Sequence, residues 1–258
     1  MTDQKIVHVA INPPESIDTN VVKAAATILN REIYEVRLLL SGRIPKLVAH
    51  FDNSEAASII AASLSSLGLL SFTVEDAELH VPVTSGIEFI AHSLQLENGQ
   101  VKFLARNGTE KIITANKLFL ILYGKMSMPI TTMDKNVKMK INVPATLIAG
   151  GIPILRKSEE NVEKLSYQTE YFVRLYGPAL SEPLIEVFES GFDYSFLEMK
   201  ISPSSSENLK QLVLELKMEF PNAIIDSRLI EGAPVLQGGE MEDACKLIFL
   251  CERAKSKH

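Results

Sequence analysis

Between Lys5 and Val74 the spacing of apolar side chains switches between period two and the three-and-four spacing of a helix. The order is strand, helix, helix, strand, helix, strand, and it constrains the fold more than any other feature. Lys5 to Ile11 sets Ile6 and His8 against Val7 and Val9, then stops at Asn12-Pro13-Pro14, where two prolines remove backbone donors and fix φ. Asp18 can cap a helix carrying Val21, Val22, Ala25, Ile28 and Leu29, with Asn30 as its stop. Ile33, Val36, Leu39 and Leu40 repeat the spacing up to Ser41-Gly42, where glycine suits a left-handed helix end. Arg43 to Phe51 reads as a strand, and Asp52-Asn53-Ser54-Glu55 holds the elements of a capping box before the stripe Ala56, Ala57, Ile59, Ile60, Leu64, Leu67. Leu69 to Val74 is the last strand. Residues 1–82 therefore predict a small α+β domain with one sheet face covered by helices.

After Pro82 the character changes. Phe89 to Leu96, Gln100 to Arg106, Lys111 to Thr114 and Lys117 to Tyr123 are short strand-like runs, and Asn98-Gly99 and Asn107-Gly108 between them are strong hairpin signals. The prediction for 83–157 is a β-meander domain, with further strands and a long loop around Thr131 to Lys138. From Ser158 the pattern is mixed, giving an α+β region over 158–258. Ser158 to Lys164 reads as a helix start, and Tyr171 to Tyr176 fits a strand or a helix. Ser204 to Glu207 introduces the clearest helix, through Leu209, Leu212, Val213, Leu216 and Phe220, stopped by Pro221.

Composition narrows the function classes. Hydrophobic residues make up 46% of the 258 and charged ones 22%, which predicts folded domains rather than a disordered chain. A net charge of −6 argues against general affinity for nucleic acid, which needs clustered Lys and Arg to displace counterions. No apolar run reaches the roughly 18 to 20 residues of a spanning helix, and the polar start lacks the pattern of a secretory leader, so a cytoplasmic protein is expected. The longest apolar stretch, Ile141 to Leu155, is broken by Asn142, Pro144, Gly150, Gly151 and Pro153 and reads as strand, turn, strand; it also suggests a surface that touches lipid. Cys245 and Cys251, six apart on one strand or helix, read as buried thiols rather than as a disulfide framework or zinc site.

The order β-α-α-β-α-β, with Val22-Lys23 on the first helix, Glu35-Val36-Arg37 on the second and Ser54-Glu55-Ala56-Ala57 and Gly68 framing the third, resembles the C-terminal domain of the bacterial large-subunit ribosomal stalk protein. It is also similar in shape to the adaptor that feeds substrates to the Clp protease. The likeness covers under a third of the chain and carries fold further than function. In the stalk family the first two helices present a basic face to translation factors, so the resemblance implies a partner-binding face here made of Lys23, Arg31 and Arg37.

One arrangement suggests catalysis. Asp193 followed by Glu198-x-Lys200 has the residue types of the carboxylate and Glu-x-Lys set with which restriction-type nucleases hold a divalent metal and activate water. It differs in that the first Asp of that set normally comes from a separate strand and here stands five residues before the Glu. A phosphate-cradling glycine loop, Gly-x-Ser-x-Gly and an arguable Cys-His pair are all absent from the sequence. His8, His50, His80 and His92 stand apart on strand-like segments and read as structural. Tyr171, Phe172, Tyr176, Phe192 and Tyr194 form an aromatic group that reads as core, with a binding platform as the alternative. The expectation is therefore a non-enzymatic protein-interaction or assembly subunit, an adaptor or oligomer component, with no cofactor and no metal. The alternative is a metal-dependent nuclease or phosphodiesterase acting through Asp193, Glu198 and Lys200.

Overall fold

The computed structural model describes residues 6–79, 89–97, 100–141, 155–179, 182–230, 236 and 238–256, without the side chains of 115, 130–141 and 155–165. His80, the Asn98-Gly99 turn and the stretch between Ile141 and Leu155 lie outside the described residues. Helices and strands alternate in an α+β fold. Two units make up the chain. One combines residues up to Met126 with Glu170 onward; the other is Ser127–Thr169.

The first unit begins with β1 (Val7–Asn12), α1 (Thr19–Leu29), α2 (Ile33–Leu39), β2 (Lys46–Phe51), α3 (Ser54–Ser65) and β3 (Leu70–Glu75). The ends fall where the side chains dictate. Asp18 accepts a hydrogen bond from the Asn20 amide at 2.6 Å, and Asn53 accepts one from the Ala56 amide at 2.7 Å, each satisfying a donor left over by its helix start. Asn30 adopts φ 49° and ends α1, while Gly68, with φ +80°, turns the chain from α3 into β3. The strands form an antiparallel sheet in the order β2-β1-β3.

One face of this sheet, through Val7, Val9 and Ile11, packs on Val22, Ala25, Val36, Ala57 and Leu64 of the three helices. The other face is covered as well, which corrects the expectation of a single helical layer. Ala10, Phe72 and Val74 share an apolar cluster with the carboxy-terminal helix. The reason lies in the strands themselves, which carry apolar residues on both faces and so need cover on both.

A one-turn helix α4 (Asp76–Leu79) leads to β4 (Ile90–Glu97), β5 (Gln100–Ala105), β6 (Glu110–Thr114), β7 (Leu120–Ile141), β8 (Leu155–Tyr176) and β9 (Ile185–Phe188). A 3₁₀ segment (Ser195–Lys200), α5 (Ser205–Glu219), β10 (Ile224–Leu229) and α6 (Gly238–Lys255) complete the chain. The strands form one seven-stranded mixed sheet in the order β10-β7-β8-β9-β4-β5-β6. The middle and carboxy-terminal stretches thus contribute strands to the same sheet. The segment Thr131 to Lys138, expected as a loop, belongs to β7, and Ser158 to Lys164, expected to start a helix, belongs to β8. In β7 the alternation of Val137, Met139 and Ile141 with Lys138 and Lys140 outweighs the turn-like Asp134-Lys135-Asn136. In β8, pairing with neighbouring strands overrides the Ser-Glu-Glu capping pattern.

One face of the large sheet packs on Leu209, Leu212, Leu216 and Phe220 of α5. The other packs on α6, in which every residue from Ala244 to Glu252 is buried. A helix buried all round must be apolar all round, and Ala-Cys-Lys-Leu-Ile-Phe-Leu-Cys-Glu nearly is. Its exceptions are matched: Lys246 donates to the Leu79 carbonyl at 2.7 Å, and Glu252 pairs with Arg228 at 2.7 Å. Cys245 and Cys251 are buried thiols on this helix, and burial pushes Cys245 up to about 12. The second unit, Ser127–Thr169, consists of strand residues of β7 and β8 as far as it is described. Among the described residues no helix is long and apolar enough to cross a membrane.

Candidate interaction site

The tight turn at Asn30 sets α2 directly after α1, with only Asn30, Arg31 and Glu32 between them. In α2 only Val36 is buried. Ile33, Tyr34 and Leu38 are 49%, 71% and 51% exposed, so this helix shows most of its apolar surface to solvent. A shallow cleft of about 630 Å³ beside it is lined by Lys23, Thr27, Arg31, Glu32 and Ile33 among others. Lys23 and Arg31 therefore share one depression, and Arg37 lies one turn further along α2. All three are exposed, and none forms an ion pair with a described residue.

Asp193, Glu198 and Lys200 sit differently from the strand-borne arrangement that the nuclease pattern needs. Asp193 accepts from the Ser195 amide at 2.9 Å in a local turn. Glu198 lies inside the 3₁₀ segment at φ 48°, ψ −117°, beside Met199, which is 99% exposed. Lys200 pairs with Glu215 at 2.6 Å, and that ammonium holds the Glu215 carboxyl below its usual range. Among the described residues no group of three His, Cys, Asp or Glu side chains is placed to hold a metal ion.

The fold gathers two polar clusters that linear spacing hides. In the β1–β2 register His8 faces His50, and α4 starts with Asp76 directly after β3. The result is a chain of three side chains, Asp76 Oδ1 to His8 Nε2 at 2.9 Å and His8 Nδ1 to His50 Nδ1 at 2.5 Å. With Asp76 accepting from His8 Nε2–H, His8 Nδ1 is left as the acceptor for His50 Nδ1–H, so the outer nitrogen of His50 keeps its lone pair. Burial first, then His8 and Arg31, lower the His50 pKa, with Asp76 opposing.

The second cluster is deeper. Arg174 on β8 has no exposed surface; its Nε donates to Glu186 Oε1 on β9 at 2.6 Å and its two terminal nitrogens clasp Glu242 on α6 at 2.8 and 2.5 Å. Glu186 is also fully buried, and its Oε2 has no hydrogen-bond partner. Burial raises its pKa against the pull of Arg174.

The aromatic group is core. Phe172, Tyr176, Phe192 and Tyr194 are buried, with Tyr176 stacked on Phe249 at 5.3 Å between ring centroids. No spacing rule could have revealed either polar cluster, because each joins strands or helices from different parts of the chain. The one available signal was a charged or imidazole side chain on an otherwise apolar strand: His8 in Val-His-Val-Ala, Arg174 in Phe-Val-Arg-Leu, Glu186 in Ile-Glu-Val. Compared with models of protein families, with curated proteins and with solved structures, the chain matches none.

Proposed function

We propose that this chain is a protein-interaction or assembly subunit whose amino-terminal domain is of the ribosomal stalk-protein kind and docks through the α1–α2 face. The observation that carries the reading is the exposure of Ile33, Tyr34 and Leu38 on one short helix beside the basic side chains Lys23, Arg31 and Arg37. Apolar residues scattered singly on a surface need no explanation, but three on seven residues next to a cleft make a patch of the kind that partners cover. Lys23, Arg31 and Arg37 outnumber Glu32 and Glu35 around it, a slight basic excess that favours a partner with acidic groups beside an apolar centre.

The test is affinity purification of the full chain from its native cells at physiological salt, identification of the bound protein, and titration of that protein against two variants. Tyr34→Ala removes the largest exposed apolar side chain, and Arg31→Glu with Arg37→Glu reverses the charge of the rim. Each should weaken binding at least about tenfold, as central anchors do. Undiminished binding by both variants, or a chain that stays monomeric and recovers no partner, would remove the proposal.

A further inference from the structure

β10 is the outermost strand of the seven-stranded sheet among the described residues, and one edge of it is open. Its register is parallel, with Ile224 opposite Leu120 and Ile225 opposite Ile121. The Ile224 amide donates to the Phe119 carbonyl at 2.9 Å, which fixes the alternation: Ile224 and Asp226 turn their backbone groups toward β7, and Ile225 turns its N–H and C=O away. No backbone hydrogen bond from another described segment reaches Ile225.

That open edge faces a cleft of about 940 Å³, within the range of ligand clefts, and residues Ile224 to Arg228 form one wall of it. Asn12, Pro13, Pro14 and Glu15, with Gly42 and Arg43, form the wall across from it. The two walls are tied together, since Arg228 donates to the Asn12 side chain at 2.6 Å while also pairing with Asp226 and Glu252. The prolines matter here. They have no N–H to offer the edge, so this wall makes a poor pairing partner for β10.

We propose that this cleft takes an extended segment of a partner protein, which adds to β10 as an eighth strand through the N–H and C=O of Ile225. The charges in the cleft favour main-chain recognition over capture of a charged small molecule. Its six charged side chains carry three charges of each sign, Glu15, Asp226 and Glu252 against Arg43, Arg228 and Lys255, and Asp226, Arg228, Glu252 and Lys255 are already joined in ion pairs. What remains for a ligand is the strand edge itself, whose donor and acceptor have the spacing of another extended backbone, and the side chain of Ile225, 37% exposed. The site is distinct from the α1–α2 face, so reversing the charge of Arg31 and Arg37 leaves it intact.

The probe is a phage-displayed library of random ten-residue peptides panned on the full chain, followed by fluorescence anisotropy of the selected peptides. Ile225→Pro deletes the outward N–H without touching the ladder to β7, a placement that edge strands tolerate. It should weaken the peptides at least about tenfold, whereas Ile225→Val, which keeps the backbone donor, should bind them normally. Amide exchange on the unmodified chain supplies a readout that does not depend on the folding of the proline variant: the Ile225 N–H should be slowed when peptide is bound. Failure to select any peptide, equal binding by the proline variant in its folded form, or an Ile225 amide that exchanges as fast with peptide as without it would each overturn the proposal.

Discussion

Replacing Arg174 by Met tests how the carboxy-terminal helix is held. The guanidinium is fully buried between Glu186, equally buried, and Glu242, whose side chain is 32% exposed. Without Arg174, Glu242 can turn to water, but Glu186 is left with both carboxylate oxygens buried and unpartnered. Removing one member of such a pair costs about 3–5 kcal/mol, and for a chain of this size that lowers the melting temperature by roughly 6–20 °C. The loss should depend on pH. Burial holds the folded-state pKa of Glu186 above its unfolded value, so the folded state binds the extra proton; stability is then greatest below the unfolded value and declines as pH rises through the folded one. Arg174→Met should accordingly be more damaging at pH 8 than at pH 5. The double variant Arg174→Met, Glu186→Leu removes the stranded carboxylate and should recover to within about 1 kcal/mol of the parent, since an apolar replacement for a buried ion pair is close to neutral. Urea denaturation followed by circular dichroism measures all three. A single variant within about 1 kcal/mol of the parent, or a double variant no more stable than the single, would refute the reasoning.

Two further outcomes are expected. In a proton NMR titration the ring of His50 should titrate below the ordinary histidine range, because burial, His8 and Arg31 all disfavour its charge, and Asp76→Asn should lower it further by removing the one opposing influence. With the folded pKa depressed, the unfolded chain takes up this proton first, so His50 makes the fold less stable as pH falls through that range. Glu198→Gly should raise the urea midpoint by an amount worth about 1 kcal/mol, because φ 48°, ψ −117° is a conformation glycine adopts freely and glutamate does not. A lowered midpoint would mean that the Glu198 side chain contributes more to stability than its backbone costs.

Local rules made the small sheet and its three helices legible. The cap at Asp18, the stops at Asn30 and Gly68 and the apolar stripes lie within a few residues of the structure they specify and act where the sequence reading places them. The cap of α3 falls on Asn53, which puts Glu55 at the second helical position and not at the third that a capping box needs. β7 and β8 were harder to read. Over Thr131 to Lys138 and Ser158 to Lys164 the local chemistry favours a turn and a helix cap, and strand pairing decides against it. The interaction face was legible only in part. Lys23, Arg31 and Arg37 could be named from position, but the exposure of Tyr34 and Leu38 depends on how few residues of α2 reach the sheet.

The role of α6 shows most clearly why the remainder was hidden. Its sequence reads as a strand or a helix equally well, because a segment buried on every side carries no periodic signal. Yet it supplies the second cover for the small sheet, the cover for one face of the large sheet, and Glu242, Lys246, Glu252 and Arg253, which bond to Arg174, Leu79, Arg228 and Glu78. Those four partners come from β8, α4 and β10, so the helix can dock fully only once both sheets have formed. The polar residues on it make poor sense as ornaments of a solvent-facing helix and good sense as the means by which an apolar rod finds a single register between two sheets. A shift of one residue along α6 would bury Lys246 and Glu252 without their partners, at a cost of several kcal/mol per stranded charge, whereas its apolar residues would tolerate the shift far better.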